Sequence, residues 1–285
     1  MKKCIIKILR FTKINIKNFF CFIIFILRYI QVSLRFQKTT RVELLPDKNL
    51  LIIGNGPSAK TISEINDIKN LDLLCVNYFA LENQAFFDLK PKFYCLIDPA
   101  FLNITEGRVH ALIEIFEQVD WEMTLVIPQK WLLLVNNKKI TRFSISSIYY
   151  SGKWFRTKLV SNNIVNIGHQ NVINGAIQFA ISAKYKVIYL IGVENDWHRE
   201  LFVNRNNDVL RKTKHFYGES IANVTDSGTV IKGELFKYFY WYYNTLLIYH
   251  EIARVCNDLD IKVYNLVPES YIDVFDKNIS LDKVK

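Results

Sequence analysis

The chain has 285 residues, half of them hydrophobic, and a formal net charge of +10. The charge is uneven, because residues 1–41 contain ten Lys or Arg and no acid, which leaves 27 bases and 27 acids in the rest of the chain. This distribution argues against a nucleic-acid partner, since a general nucleic-acid surface would spread its cations over the folded domain. Five cysteines without a C-x-x-C pair argue against a disulfide framework and a zinc site.

The first predicted element is a basic, apolar leader over residues 1–45. Its longest uninterrupted apolar run, residues 19–27, has nine residues, whereas a membrane-spanning helix needs about 20. We therefore expect a membrane-associating helix that lies in the lipid interface, with its bases at anionic headgroups. A signal-anchor span and a disordered or core-packed leader are the alternatives. No small-residue cleavage site follows that would indicate a signal peptide.

Residues 46–285 are predicted to form one α/β domain. Short apolar runs predict strands, and longer periodic segments predict helices between several of them. The predicted strands are residues 50–53, 71–76, 93–97, 123–127, 187–191 and 262–266, and the clearest predicted helices are residues 109–119, 172–184 and 235–259. This alternation predicts a Rossmann-like domain with a mostly parallel sheet covered on both faces. Ligands of such sheets bind beyond the carboxyl ends of the strands.

The turn after the first strand, residues 54–58, reads Gly-Asn-Gly-Pro-Ser. Its glycines allow close backbone approach, its proline suits the first turn of a helix, and free N–H groups there attract phosphate. The letters fit G-x-G-x-x-A, but a dehydrogenase needs an acid about 20 residues further on, and this chain has Asn77 there. A nicotinamide-dependent reductase is therefore a weaker alternative, and a purely structural turn is another.

Amide side chains dominate the other predicted strand ends. Asn77 follows the second strand and Asp98 the third, while Asn174 and Gly175 open the helix before the fifth. Neutral donors and acceptors suit the edges of a nucleobase and a ribose, whereas a cluster of cations would indicate a polyphosphate. Residues 195–220 then turn polar for longer than most connections. We expect this segment to be a mobile lid loop.

Several segments occur in the same order as in bacterial sialyltransferases of glycosyltransferase family 42, which the chain resembles from about residue 50 to residue 275. They are residues 54–58, the Asn77 turn, and residues 189–193, 215–220 and 261–270. The resemblance implies a variant GT-A fold and transfer of sialic acid, or a related sugar, from CMP to a hydroxyl with inversion and without metal or cofactor. Taken together with the basic leader, this predicts an enzyme at the cytoplasmic face of a bacterial inner membrane, where it would modify a surface glycan or glycolipid such as lipopolysaccharide or capsule.

The resemblance also implies a set of donor-binding residues. Asn55, Gly56 and Ser58 would line the donor phosphate and ribose. Asn77 and Asp98 would address the ribose or the cytosine, although the family has an amide where this chain has Asp98. The pair at residues 174–175, Asn174 and Gly175, replaces a Ser-Gly pair that touches the donor in the family.

The general base is the largest departure from the family. The family's catalytic histidine corresponds to Glu219, and His215 lies four residues earlier. Either side chain could take the acceptor proton, and His215 could instead orient Glu219 if the segment is helical. If neither acts, the chain is a non-catalytic nucleotide-binding protein. Glu194 and Asp196 are the reserve ligands should a metal be required, since the only D-x-D, at residues 258–260, is predicted to be a charged turn.

Overall fold

The computed structural model describes residues 2–35, 48–131, 135–215, 218–226 and 229–284; side chains at residues 2–10, 33–35, 213–215 and 218–220 are outside this description. The strands in these ranges are β1 Leu50–Ile53, β2 Asp72–Val76, β3 Phe93–Cys95, β4 Met123–Pro128, β5 Ile140–Ile145, β6 Val187–Ile191, β7 Leu201–Val203, β8 Val209–His215, β9 Gly218–Asn223, β10 Thr225–Asp226, β11 Thr229–Val230 and β12 Lys262–Asn265. The α-helices are α1 Lys2–Arg35, α2 Asn83–Leu89, α3 Gly107–Glu117, α4 Arg156–Ser161, α5 Val172–Ser182 and α6 Leu235–Asp258. Short 3-10 helices span Pro57–Glu64, Ile68–Asn70, Phe79–Leu81, Pro99–Leu102, Trp197–Glu200 and Leu281–Lys283.

Seven of the described strands form one sheet in the order β12-β6-β1-β2-β3-β4-β5, and every neighbouring pair is parallel. This confirms the predicted α/β class with a parallel sheet. The six predicted strands are all present, and β5 is an addition. The four residues of β1 are fully buried, as expected for a central strand that is covered on both faces.

Helices cover both faces of this sheet. Because side chains alternate along a strand, each strand contributes to two separate hydrophobic clusters. One cluster contains Phe179 of α5 and Tyr249 of α6. The other contains Phe86 of α2 and Phe116 of α3. Helices α5 and α6 therefore lie on the opposite side of the sheet from α2 and α3.

The order of strands reverses at β1. The chain proceeds from β1 to β5 in one direction, and then β6 and β12 are added on the other side of β1. Such a switch point leaves a crevice at the carboxyl ends of the strands. The turns after β1 and β6 touch there: a Cβ on Gly54 would lie 2.2 Å from the carbonyl oxygen of Gly192, whose own φ is +70°. Only glycine fits this contact.

The segment at residues 195–220, which the sequence predicts as a lid loop, is not an irregular loop where the structure describes it. The 3-10 helix Trp197–Glu200 is followed by β7, β8 and β9, which form an antiparallel three-stranded sheet. The turn between β7 and β8 is stabilised by Asn204, whose side-chain oxygen accepts hydrogen bonds from the N–H groups of Asn206 and Asp208. The sequence does not predict β8 and β9 because polar side chains dominate them, and β7 has only three residues.

The leader forms the 34-residue helix α1, and the predicted boundary at residue 45 lies outside the described residues. Within α1, residues Phe11–Val32 are long and apolar enough to cross a membrane. The helix continues past Arg28, so its apolar part is longer than the nine-residue run at residues 19–27. An apolar helix near the N-terminus is weak evidence for a membrane anchor, and the interfacial placement stays a prediction.

Candidate functional site

A cavity of about 600 Å³ opens at the carboxyl ends of the central strands. The turn after β1 lines it, together with residues that follow β2, β3 and β6 and residues that precede α5. Of the predicted donor-binding residues, Asn55, Gly56, Asn77 and Asp98 are part of this lining. The structure therefore brings side chains that are up to 43 positions apart in sequence, from Asn55 to Asp98, to one cavity wall.

The remaining three predicted donor-binding residues lie behind the cavity wall. Ser58 accepts a hydrogen bond at its Oγ from the N–H of Gly192. Asn174 is fully buried and forms a reciprocal capping box with Asn171 at the start of α5. A Cβ on Gly175 would lie 3.1 Å from Ile97. These contacts hold the elements that carry the cavity, and none of the three residues is among those that line it.

The backbone amides of the glycine turn are already hydrogen-bonded within the protein. The N–H of Gly54 donates to the oxygen of Ile191 at 2.8 Å, and the N–H of Gly56 donates to the oxygen of Gly192 at 2.9 Å. The N–H of Ser58 donates to Oε1 of Glu194 at 2.6 Å. These three groups are not free to bind a phosphate in this conformation, which corrects the expectation that they grip the ligand.

The Glu194 carboxylate occupies the place at the first helix where an anion was expected. Its Oε2 is buried and has no hydrogen-bond partner among the described residues. A Cβ on Gly56 would lie 1.5 Å from this oxygen, so the second glycine of the turn makes room for the glutamate. Negative charge at a helix N-terminus is favourable, and here the protein supplies that charge itself.

Two carboxamide oxygens at neighbouring strand ends have no partner in the described structure. Oδ1 of Asn55, after β1, and Oδ1 of Asn77, after β2, are both buried without a hydrogen bond. Asn77 has φ +52°, a left-handed conformation that asparagine tolerates. Its backbone oxygen accepts a hydrogen bond from the Tyr94 hydroxyl at 2.7 Å, which fixes the turn. Buried acceptors are normally satisfied, so a bound molecule with N–H or O–H groups would fit here.

Arg211 is the one lysine or arginine among the described residues that line the cavity. Its Nε lies 2.7 Å from Oε2 of Glu200, and its guanidinium stands 5.7 Å from the ring centroid of Trp197. Strand β8 carries the arginine and the preceding 3-10 helix carries its two partners. The segment at residues 195–220, which the sequence predicts as a lid loop, thus supplies the cavity with a cation whose position these two contacts fix. Sequence reasoning did not select Arg211, because its position in a strand was not recognised.

His169 also lines the cavity and was not predicted. Burial lowers the pKa of its imidazole to about 4, so the ring is neutral at physiological pH. Its Nε2 is buried and has no hydrogen-bond partner among the described residues. A neutral imidazole can donate or accept one hydrogen bond to a ligand. A lone histidine in a polar stretch offers no sequence signal for this role.

The two candidate bases lie on a β-hairpin rather than on a helix. His215 ends β8 opposite Gly218, and Glu219 of β9 is opposite Lys214. The arrangement in which His215 orients Glu219 across a helical turn is therefore not formed. The side chains of both residues, and residues 216–217 altogether, lie outside the described structure. Their catalytic roles stay predictions.

Metal binding was expected to be absent, with Glu194 and Asp196 in reserve. Both residues line the cavity. In the described ranges no group of three or more His, Cys, Asp or Glu side chains forms a metal site, and a metal-free reaction stays a prediction.

The D-x-D motif at residues 258–260 lies at the end of α6, where Asp258 accepts a hydrogen bond from Thr157 and Asp260 has φ +52°. It is a turn remote from the cavity lining.

Comparison with protein-family models and with curated proteins gives no match. Two solved structures are similar to the chain. The sialyltransferase CstII from Campylobacter jejuni, in complex with the substrate analogue CMP-3FNeuAc, has 16% identity and a TM-score of 0.42 over 82% of this chain and 88% of that one. A single-residue variant of the sialyltransferase Cst-II, in complex with CMP, has 14% identity and a TM-score of 0.40 over 83% and 88%. These identities and TM-scores are too low to assign a function, so the functional proposal rests on the cavity.

Proposed function

We propose that the chain is a glycosyltransferase that binds a CMP-activated sugar of the sialic acid class in the cavity at the switch point. The observation that carries the proposal is the pair of buried, unpartnered carboxamide oxygens of Asn55 and Asn77. The 4-amino group of cytosine and the hydroxyls of ribose are donors that such oxygens accept. The choice of CMP comes from the sequence segments that resemble family 42 and occur in the same order along the chain.

The charges of the cavity favour a ligand with a single phosphate. Four carboxylates line the cavity, from Asp98, Glu194, Asp196 and Glu200, against one described arginine, Arg211. A pyrophosphate would bring two negative charges on adjacent phosphates into this acid-rich space, whereas a CMP-sugar carries one charge on its phosphodiester and the other on the sugar carboxylate. A guanidinium is suited to both anions. This argument also disfavours the pyrophosphate of a nicotinamide cofactor.

In the proposed reaction an acceptor hydroxyl attacks the anomeric carbon of the donor sugar. The new carbon–oxygen bond forms as the bond to the phosphate oxygen breaks, and CMP leaves with the bonding electron pair. Arg211 would stabilise the charge that develops on the phosphate. The proton of the acceptor hydroxyl passes to a general base, for which Glu219 and His215 are the candidates. A glycolipid at the cytoplasmic membrane surface is the proposed acceptor.

The experiment is a CMP-release assay on the full chain in detergent, with CMP-sialic acid as donor and lipid extracts or lactosides as acceptors. Glu219→Gln and His215→Gln are compared with Lys212→Gln, which changes an exposed residue of the same hairpin. The proposal expects turnover in the unmodified chain and a loss of at least about 100-fold in one of the first two variants. CMP binding without turnover of any CMP-sugar would favour the non-catalytic alternative.

A further inference from the structure

The most exposed side chains in the first half of α6 are aromatic or aliphatic. Between residues 235 and 249 the exposed positions are Phe236, Phe239, Tyr240, Tyr243 and Leu247, and Phe236 is 67% exposed. Their spacing of three and four residues places them on one face. The opposite face packs on the core through Tyr238, Thr245 and Tyr249. A surface helix normally presents polar residues where these lie, so this face, the α6 stripe, needs a partner.

The leader helix packs on a segment that α6 also contacts, residues 150–156. The side chain of Asn18 accepts a hydrogen bond from the N–H of Lys153 at 3.0 Å. The ring of Phe25 packs 5.5 Å from that of Tyr150, and Phe22 is one of the aromatic neighbours of Phe155. Helix α1 therefore rests on residues 150–155, and most of the other apolar side chains between residues 11 and 32 are exposed.

Helix α6 is fixed to the same segment. The guanidinium of Arg156 donates to the oxygen of Gly152 at 2.6 Å and forms an ion pair with Glu251. Leu247, the last residue of the α6 stripe, lies one helical turn before this glutamate. Phe25 and the buried face of α6 also belong to the same hydrophobic cluster. The exposed apolar faces of α1 and α6 thus lie on one side of the sheet, with the exposed side chains of Trp154 and Phe155 beside α1.

We propose that the α6 stripe is a second membrane contact, which rests in the interface of a lipid bilayer beside the leader helix. Tyrosine, tryptophan and phenylalanine suit this level of a bilayer, because their rings are apolar and Tyr and Trp keep a polar atom for the headgroups. Residues 1–41 of the leader offer ten bases and no acid to anionic lipids. Beyond the stripe, α6 exposes the guanidinium of Arg254, which pairs with Glu251 and places a cation at the edge of the stripe.

This contact would hold the cavity at the membrane surface. The hydroxyl of Tyr242, in the first half of α6, donates to the oxygen of Asn195 at 3.0 Å, and Trp197 lies 6.1 Å from the same tyrosine ring. Asn195 and Trp197 both line the cavity. A bilayer on the α6 stripe would therefore approach the cavity wall, so an acceptor embedded in lipid could reach it. The membrane contact itself does not depend on the proposed reaction.

The test is site-specific photocrosslinking of the full chain on vesicles of phosphatidylethanolamine and phosphatidylglycerol, without any nucleotide sugar. Tyr240 and, separately, Tyr243 are replaced by p-benzoylphenylalanine, which retains an exposed aromatic side chain. The matched control is the same replacement at Glu117, an exposed residue of α3 on the opposite side of the sheet. Circular dichroism checks that each variant is folded.

The proposal expects lipid adducts by mass spectrometry at positions 240 and 243, at least about tenfold above the control position. Covalent dimers formed through either position would overturn it, because the stripe would then contact a second copy of the chain. Equal lipid labelling at position 117, or no lipid adduct at 240 and 243, would also overturn it. None of these results depends on donor binding, so failure here is distinguishable from failure of the proposed transferase activity.

Discussion

The carboxylate of Glu194 accepts a hydrogen bond from the backbone N–H of Ser58 at 2.6 Å, across the switch point between β6 and β1. The same residue places its second oxygen against Gly56. A carboxylate of the protein thus accepts the hydrogen bond of a free N–H group at the start of the 3-10 helix Pro57–Glu64. In many nucleotide-binding folds a phosphate binds at the corresponding helix start. The anionic part of a ligand is then expected elsewhere in the cavity, at Arg211.

Removal of the Glu194 carboxylate should destabilise the fold. In Glu194→Ala the Ser58 N–H loses its acceptor, and an unsatisfied buried donor costs about 1–3 kcal/mol in free energy of unfolding. Glu194→Gln keeps an acceptor oxygen, and we expect less than about 1 kcal/mol. Urea unfolding in detergent measures both. Asp196→Ala is the control, because this side chain makes no capping hydrogen bond at its helix. Equal losses in the alanine and glutamine variants would contradict the role of the hydrogen bond.

Alanine substitutions at the two glycines of the turn should respond differently to removal of the Glu194 side chain. In Gly56→Ala the new methyl meets the end of the Glu194 side chain, whereas in Gly54→Ala it meets the backbone oxygen of Gly192 at 2.2 Å. Each change is expected to cost at least about 1–3 kcal/mol through overpacking. Adding Glu194→Ala should recover part of the loss in Gly56→Ala and none in Gly54→Ala. A double-mutant cycle by thermal unfolding gives the coupling energies, and equal coupling for both glycines would contradict the geometry.

Arg211 should distinguish a nucleotide from its nucleoside. In Arg211→Gln we expect the affinity for CMP to fall about tenfold or more, since a charged hydrogen bond contributes about 1.5–3 kcal/mol. The affinity for cytidine should be unchanged. Arg199→Gln is the matched control, because Arg199 is exposed on the 3-10 helix that carries the partners of Arg211 and does not line the cavity. An equal loss of affinity for CMP and cytidine would mean that Arg211 only supports the cavity wall.

The imidazole of His169 should make the free energy of unfolding depend on pH. Burial lowers the pKa of its imidazole from 6.5 to about 4. Between these two pKa values the unfolded chain binds more protons than the folded chain. The neutral imidazole therefore contributes about 3 kcal/mol to the free energy of unfolding above pH 6.5, and this contribution is lost as the pH falls towards 4. Urea unfolding of His169→Gln between pH 7 and pH 4 should lack this part of the slope. Parallel slopes in the unmodified and variant chains would show that the imidazole is not held neutral.

The sheet was predictable from the sequence because its strands are short and continuously apolar. The buried runs that became β1 and β6 have no helical periodicity and end in glycine, which marks strands covered on both faces. The positions of Asn55 and Asn77 followed directly, because the carboxyl ends of neighbouring parallel strands meet at one edge. The same reasoning failed for β8, where alternating lysine, arginine and threonine resembled a solvated loop.

The use of the glycine turn was not predictable from local sequence. Residues 54–58 read as a phosphate-binding turn, and nothing nearby indicates that Glu194, 136 positions from Ser58, caps the helix there. That hydrogen bond depends on β1 and β6 being neighbours in the sheet, which is a property of topology. The buried His169 was missed for a similar reason, since its desolvation comes from the packing of separate segments around the cavity.

Calorimetric titration of the full chain with CMP, compared with UMP and NADH, tests most directly the claim that the cavity binds a cytidine monophosphate through Asn55 and Asn77. We predict that CMP binds more tightly than UMP and NADH. Asn55→Leu and Asn77→Gly should each lower the CMP affinity at least about tenfold, because each change removes the carboxamide oxygen that is proposed to accept a hydrogen bond from the nucleotide. Glycine also tolerates the left-handed conformation at residue 77. Asn162→Leu, away from the cavity lining, should bind CMP as the unmodified chain does. Tighter binding of NADH than of CMP, or CMP binding unchanged in both cavity variants, would contradict the account.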